Sequence, residues 1–277
     1  MKRIKRNLKR LWNLIEQPEM KVMPGDLAFY MVLSIIPIIT LIAYVTSLFK
    51  VPISSSLGQL QGVLPRDVLE ILLSVVNGEG LNLTFGISML VIFFLASNGT
   101  HSIIIVSNSM YGVKHSNIVN RRIKSLLIIV ILILLIVFNL VVIGFGNYIV
   151  EWLLQLKFLA PVSNALYQLF ILLKWPIALL FIFFLVKLIY TIAPDAKIPS
   201  EYTNKGAMFT TILWSIATVI YSFYVTNFNN YNLFYGSLAN IIVMMIWFYI
   251  IAYILVLGIA INVSDYQASL ENQEKGE

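Results

Sequence analysis

The stretch from Gly206 to Val263 contains no Asp, Glu, Lys or Arg, and this uncharged run constrains the fold more than any other feature. It divides into two apolar segments joined by an aromatic turn from Phe228 to Tyr235. A bilayer core about 30 Å thick is crossed by roughly 20 apolar residues in a helix. Soluble domains do not carry two such segments in succession, because about a quarter of their residues are charged. The sequence therefore predicts a polytopic membrane protein.

The composition of the whole chain agrees with this prediction. Of its 277 residues, 59% are hydrophobic and 12% are charged. The chain has no cysteine, which excludes disulfides, thiolate nucleophiles and metal sites built on cysteine. The net charge of +6 is carried largely by loops between apolar segments, so the charge indicates membrane topology rather than a nucleic-acid partner.

The apolar segments predict an all-α bundle of six transmembrane helices. Helices are expected because an open strand in lipid would leave backbone groups unpaired, and the segments lack the two-residue alternation of an outer-membrane barrel. The predicted spans are Leu27–Phe49, Leu83–Ser107, Ser125–Ile149, Trp175–Ile192, Ala207–Thr226 and Gly236–Val263. The chain is thus divided into a basic segment at 1–24, a transmembrane domain at 25–263 and a polar tail at 264–277 that is expected to fray.

Amphipathic helices are also expected at the membrane surface. Apolar residues recur at helical spacing in residues 3–16, with Lys and Arg on the opposite face, and this pattern favours an interfacial helix that binds anionic lipid. An RNA-binding arm is the alternative, but it needs the charges without the apolar stripe. The outer loop at 51–82 and residues 157–172 are expected to lie on the outer surface. The apolar stripe consists of Ile4, Leu8, Leu11, Trp12 and Ile15.

The distribution of Lys and Arg predicts the orientation. Basic residues are concentrated before span one and in the loops that follow spans two and four, whereas the opposite side carries few. The positive-inside rule therefore places both termini in the cytoplasm and the protein in the plasma (inner) membrane. The first apolar segment is too long for the core of a cleavable signal peptide, so none is expected. The inner loops contribute Lys114, Arg121, Arg122, Lys124, Lys197 and Lys205.

Span two carries the largest set of polar residues inside the membrane. Ser97, His101 and Asn108 return to the same helical face at 3.6 residues per turn, and Asn98 lies beside them. Intramembrane polar side chains are costly and often mark a pathway, and His101 could carry a proton near neutral pH. The alternative is that these groups join helices through hydrogen bonds of about 1 kcal/mol or less.

Two prolines in corresponding halves of the bundle favour a transporter. Pro37 lies in span one and Pro176 in span four, each opening a group of three spans. Proline-interrupted helices in matching positions often mark a substrate site. The competing explanation is that proline is simply common in membrane helices. The small-residue face of span five, which includes Ala207 and Thr211, favours close packing against another helix, and it would permit a homo-oligomer without requiring one.

An ordered set of short motifs resembles the YihY/BrkB family of bacterial inner-membrane proteins. The motifs begin with Leu27-Ala-Phe-Tyr30, Ser34 and Pro37, continue through Ser97, Gly99 and Asn108-Ser-Met-Tyr-Gly112, and end with Pro194, Gly206-Ala207, Tyr235-Gly-Ser-Leu238, Trp247, Tyr249, Gly258 and Asn262. The resemblance implies a six-helix membrane protein with cytoplasmic termini but no settled activity. Members carry a ribonuclease BN label that is generally regarded as mistaken, or a virulence-factor name. This chain departs from the pattern at Asn98, where Arg is common, and at Ala260, where an acidic residue often stands.

Three functions follow from these observations. The first is a transporter or lipid-translocating protein without its own nucleotide site, cofactor or metal. The second is a scaffold that recruits partners through Arg121, Arg122 and Lys124. The third is a membrane-bound ribonuclease, which is disfavoured because no catalytic residues or metal-ligand cluster can be recognised. The candidate pathway or packing residues are Tyr30, Ser34, Pro37, Ser97, Asn98, His101, Asn108, Pro176 and Asn262.

Overall fold

The computed structural model describes residues 16, 18–48, 83–113, 117–140, 163–227 and 237–274, and these residues form helices and short connections without a strand. A single turn of 3-10 helix at Ser200–Thr203 precedes the fifth α-helix. Within the described ranges the α-helices are α1 (Pro18–Leu48), α2 (Leu83–Met110), α3 (Ile118–Leu140), α4 (Ser163–Ile192), α5 (Asn204–Asn227) and α6 (Ser237–Glu274).

Each of the six predicted spans falls on one of these helices. In the part of the chain that the structure describes, four stretches are long and apolar enough to cross a bilayer: Leu90–Met110, Tyr167–Ile192, Ser200–Asn227 and Ile242–Glu271. The all-α membrane architecture is therefore confirmed. The count of six membrane spans stays a prediction.

The helices pass through the prolines that were expected to interrupt them. Pro37 lies inside α1 and Pro176 inside α4, and both helices are continuous. The expected breaks are wrong because proline removes only one backbone hydrogen bond, which a membrane helix tolerates. Helix α1 also begins at Pro18 rather than Leu27, since proline suits the first helical turn, where its missing N–H is not needed.

The polar C-terminal segment is helical as far as Glu274, so the frayed tail expected after residue 263 is wrong over that range. Two contacts explain its order. Lys205 Nζ lies 2.6 Å from Asp265 Oδ1. The ring of Tyr266 also packs edge-on against Tyr202, with centroids 5.4 Å apart. Tertiary contacts thus stabilise a segment whose sequence alone indicates a loose end.

The predicted surface segments are only partly described. Residues 163–172 form the first turns of α4 rather than a separate surface helix. Their apolar sequence continues the helix without a break, which explains the difference. The interfacial helix predicted at 3–16, apart from residue 16, lies outside the described residues, as do residues 51–82, 157–162 and the turn at 228–235.

Helices α2 and α6 form the centre of the bundle. Half of the α2 span and 44% of the α6 span are buried, against 12% for α4 and 11% for α5. Helix α1 packs along both central helices, α3 lies against α2, and α5 lies against α6. The polar groups of α2 are therefore inside the protein, while the outer helices present Leu, Ile and Phe to the lipid.

Helices α5 and α6 approach closely through two glycines. The backbone N–H of Gly206 donates a hydrogen bond of 2.8 Å to Asn262 Oδ1. A Cβ added at Gly206 would overlap the carbonyl oxygen of Gly258. Small residues at such crossings let two backbones meet, and the amide of Asn262 then joins them.

Tyr190 ties α4 to the same crossing. Its side chain is fully buried, and Oη donates a hydrogen bond of 2.9 Å to the carbonyl of Leu255 on α6. The same oxygen lies 2.7 Å from Thr210 Oγ1 on α5. Three helices are thus joined through one phenol, whose hydroxyl finds partners as a buried tyrosine requires.

Candidate functional site

Helix α1 reaches the polar helix α2 through Ser34. Its Oγ accepts a 3.0 Å hydrogen bond from the backbone N–H of Gly99 and donates one of 2.8 Å to the carbonyl of Tyr30. A Cβ at Gly99 would lie 3.2 Å from that oxygen, so the two helices meet here with little spare room. The two motif residues Tyr30 and Ser34 thus contribute to the α1–α2 crossing.

Thr100, rather than Ser97, links α2 to α3. The hydroxyl of Thr100 lies 2.9 Å from the carbonyl of Ser125 on α3 and 2.9 Å from that of Ser97. Ser97 Oγ bonds back to the carbonyl of Phe94 in its own helix at 2.7 Å. Thr100 was not among the candidate site residues, because periodicity identifies a face of a helix but not the group opposite it.

A guanidinium group lies against Asn98. Arg122 Nη1 on α3 donates a 3.0 Å hydrogen bond to Asn98 Oδ1, and the guanidinium carbon lies 3.6 Å from the centroid of the Phe94 ring. Asn98 is about 18 Å from the end of α2 at Met110, from a rise of 1.5 Å per residue. The charge therefore lies near the middle of the span Leu90–Met110.

Several buried polar atoms around the C-terminal half of α2 have no hydrogen-bond partner among the described residues. They are His101 Nε2, Ser107 Oγ, Tyr111 Oη and, from α3, Arg121 Nε. A buried polar atom left without a partner costs about 1–3 kcal/mol. Such atoms call for an explanation, and a water or a ligand would supply one.

Asp195, which follows α4, connects the ends of α2 and α3. Asn108 donates through Nδ2 to Asp195 Oδ2 at 2.8 Å and accepts from the Asp195 backbone N–H at 2.7 Å. Lys124 Nζ lies 2.6 Å from Asp195 Oδ1 and 2.9 Å from the carbonyl of Pro194. We call these four residues the Asp195 cluster. Sequence patterns indicate for Lys124 only a loop position or a role in recruiting partners, because its ion-pair partner lies 71 residues along the chain.

An open cavity of about 580 Å³ lies beside the Asp195 cluster. Lys124, Asp195, Thr191 and Lys197 provide its polar lining, and Pro194 and Ile198 lie among its apolar residues. Two lysines and one aspartate therefore line this cavity.

The remaining predicted site residues do not converge on α2. Asn262 lies at the α5–α6 crossing, with Oδ1 bonded to Gly206 and Nδ2 buried without a partner in the described part of the chain. Pro176 is exposed on α4, and Pro37 is half-buried within α1. Among the described residues no three His, Cys, Asp or Glu side chains are close enough to hold a metal ion.

Ser34→Ala is expected to lower the stability of the protein by about 1 kcal/mol, because the N–H of Gly99 loses a buried acceptor. Ser222→Ala is the matched control, since Ser222 is exposed on α5 and surface changes stay within about 0.5 kcal/mol. Thermal unfolding of the purified variants in one detergent measures the difference. Equal midpoints for the two variants would contradict a stabilising α1–α2 contact at Ser34.

Comparison with known proteins identifies relatives over nearly the full length. The family model described as Virulence factor BrkB matches residues 12–277. A Bacillus subtilis protein named as ribonuclease-like, YfkH, is 28% identical over 92% of this chain and 93% of its own length. A UPF0761 membrane protein of Idiomarina loihiensis is 30% identical over 48% of this chain and 46% of its own. No solved structure matches the chain.

Proposed function

Because this chain belongs to the Virulence factor BrkB family of membrane proteins, we propose that it moves a lipid or a small solute across the plasma membrane without a nucleotide site of its own. The observation that carries the proposal is His101 Nε2, which lies within the apolar span Leu90–Met110 and is buried without a hydrogen-bond partner among the described residues. An ionisable side chain inside a membrane span is a candidate for a substrate or ion pathway.

The surroundings of His101 support a pathway along α2. Ser97 and Thr100 have their hydroxyls bonded, whereas Ser107 Oγ and Tyr111 Oη lie buried without partners in the described ranges. Unsatisfied groups therefore follow the inner half of α2 toward its end. A translocated polar group could exchange hydrogen bonds with them in turn, which a fully satisfied packing interface would not allow.

The basic residues support the predicted orientation. Five helices are joined by contacts at one end of the bundle. The Asp195 cluster joins α2, α3 and the end of α4, and the Lys205–Asp265 pair joins α5 to α6. We assign this end to the cytoplasm, together with both termini. The basic segment at 1–24 would then bind anionic lipid at the inner surface, next to the transmembrane domain at 25–263 and the tail at 264–277.

The scaffold alternative has less support. It requires Arg121, Arg122 and Lys124 to face a partner, but Arg122 contacts Asn98 and Lys124 contacts Asp195 inside the bundle. The ribonuclease alternative rests on the name of the Bacillus subtilis relative, and the described residues provide no cluster of carboxylates and imidazoles for it. In the small-residue face of α5, Ala207 and Thr211 are buried by the rest of the chain, whereas Thr218 and Ser222 are exposed, so a homo-oligomer would form through the second half of that face.

His101→Ala is expected to reduce translocation by about tenfold, equivalent to one lost hydrogen bond of about 1.4 kcal/mol in the rate-limiting state. The protein is reconstituted into vesicles that hold a fluorescent phosphatidylglycerol, and loss of fluorescence to an external reductant reports lipid that reaches the outer leaflet. Thr218→Ala, exposed on α5, is the control. Wild-type vesicles no faster than protein-free ones would exclude lipid translocation. A wild-type rate in His101→Ala would remove His101 from the pathway.

A further inference from the structure

Two neighbouring arginines of α3, Arg121 and Arg122, form no ion pair in the described part of the chain. Helices α2 and α3 contain no Asp or Glu. The ion pairs found among the described residues are Lys124–Asp195 and Lys205–Asp265. Arg121 Nε is buried without a hydrogen-bond partner there. Neither Arg121 nor Arg122 therefore takes part in an ion pair found among the described residues.

The guanidinium of Arg122 has donors to spare. It bonds to Asn98 Oδ1 at 3.0 Å and to the carbonyl of Phe94 at 3.4 Å, and it lies over the Phe94 ring. These are neutral groups, which orient the guanidinium without neutralising it. An arginine has five N–H donors in a planar fork, so donors remain for a further acceptor.

The site is open to the side of the bundle. Phe94 is about half exposed, and the contact between Arg122 and the Phe94 carbonyl is exposed as well. His101 lies one helical turn from Asn98, the residue that Arg122 contacts, so both side chains occupy neighbouring positions on α2. The imidazole Nε2 lies buried and, within the described residues, without a partner. A group that enters beside Phe94 would thus meet the Arg122 guanidinium, and the His101 imidazole lies one helical turn further along α2.

We propose that Arg122, Arg121 and His101 form a binding site for a phosphate-type anion near the middle of the α2 span. Arginine binds such oxyanions through two parallel hydrogen bonds, and an anion would supply the missing counter-charge in the membrane. The anion is either the headgroup of a lipid or free phosphate. Only the identification of the anion as the transported group rests on the proposed function. Binding of the anion to the site is measured without transport.

Native mass spectrometry of the whole protein in a mild detergent tests the site. Phosphatidylglycerol, phosphatidylcholine or inorganic phosphate is added to wild type, Arg122→Gln, Arg122→Lys and Lys197→Gln. Phosphatidylglycerol binding is expected to fall about tenfold in Arg122→Gln and less in Arg122→Lys, because lysine keeps the charge but not the fork. Lys197→Gln removes an exposed charge elsewhere and should bind as wild type does. Phosphatidylcholine carries the same phosphodiester but no net charge, so its binding should fall less in Arg122→Gln than that of phosphatidylglycerol.

The two sources of the anion give different results. If phosphatidylglycerol binding depends on Arg122 and excess phosphate does not displace the lipid, the anion is a lipid headgroup. Arg122-dependent binding of phosphate, with no dependence for the lipid, identifies the free anion. Equal binding of both probes in wild type and Arg122→Gln overturns the site, as does equal loss in Lys197→Gln.

A second variant separates binding from folding. Asn98→Ala removes the neutral acceptor and leaves both guanidinium groups, so anion binding should persist. If the Arg122–Asn98 contact were purely structural, Asn98→Ala and Arg122→Gln would both lose binding and thermal stability. If the wild type binds the anion through Arg122 but transports nothing, the proposed function is wrong and the site stands. If the wild type transports lipid or solute but binding does not depend on Arg122, the site is wrong and the proposed function stands.

Discussion

Replacing Gly258 by alanine is expected to prevent most of the protein from folding. The added Cβ would overlap Tyr190 Oη and Thr210 Oγ1 and lie 3.0 Å from Tyr190 Cζ. Tyr190 cannot move aside freely, because its ring is fully buried and its hydroxyl is bonded to Leu255. Overpacking costs about 1–3 kcal/mol, and each broken hydrogen bond adds about 1 kcal/mol. The total approaches the stability of a small domain.

Gly25→Ala is the control for this substitution. Gly25 also lies in a helix, but nothing is within 4 Å of the position that its Cβ would occupy. Alanine should be neutral there or stabilise the helix by up to about 1 kcal/mol. Size-exclusion chromatography of the detergent-solubilised variants measures the folded yield, and thermal unfolding measures the stability of what remains.

A compensating change tests the assigned cause. Tyr190→Phe and Thr210→Ala remove the two oxygens that the new Cβ would overlap. Combined with Gly258→Ala, they should recover part of the lost folded yield, so that the three effects are not additive. A Gly258→Ala protein with normal yield and unfolding temperature would contradict the close approach of α4, α5 and α6 at this point.

Replacing Asp195 by alanine is expected to destabilise the protein by about 2–3 kcal/mol. Asp195 serves both Asn108 and Lys124, and its side chain is only 20% exposed. Its removal leaves an ammonium group and an amide partly buried without their partner, which costs more than the pair itself contributes. Asp195→Asn should cost less, because the amide keeps an acceptor for Lys124 while losing the charge.

The Lys205–Asp265 pair provides the matched control for Asp195. Its ions are also 2.6 Å apart, but the Lys205 side chain is 68% exposed. Exposed pairs contribute about 0–1 kcal/mol, so Asp265→Ala should change stability little. Thermal unfolding of Asp195→Ala, Lys124→Met and the double variant gives the coupling energy. Additive effects in that cycle would show that Lys124 and Asp195 do not stabilise the bundle through each other.

The positions of the helices could be predicted because the bilayer imposes length and composition on each one. Ser34, Asn98, Asn108 and Asn262 could be named from motifs and spacing, and all four contact another part of the chain outside their own helix. The prediction that prolines interrupt two helices was wrong. A residue pattern does not show whether neighbouring groups stabilise a helix that lacks one backbone hydrogen bond.

The sequence by itself determined an all-α membrane protein, because water-free surroundings leave a long apolar segment few ways to satisfy its backbone. Only the tertiary structure decided that Asp195 meets Asn108 and Lys124, and that the Arg122 guanidinium lies on Asn98 deep in the span of α2. Helical periodicity states which face of a helix is polar but not which helix lies opposite. Partners far apart in the chain meet only when the bundle packs.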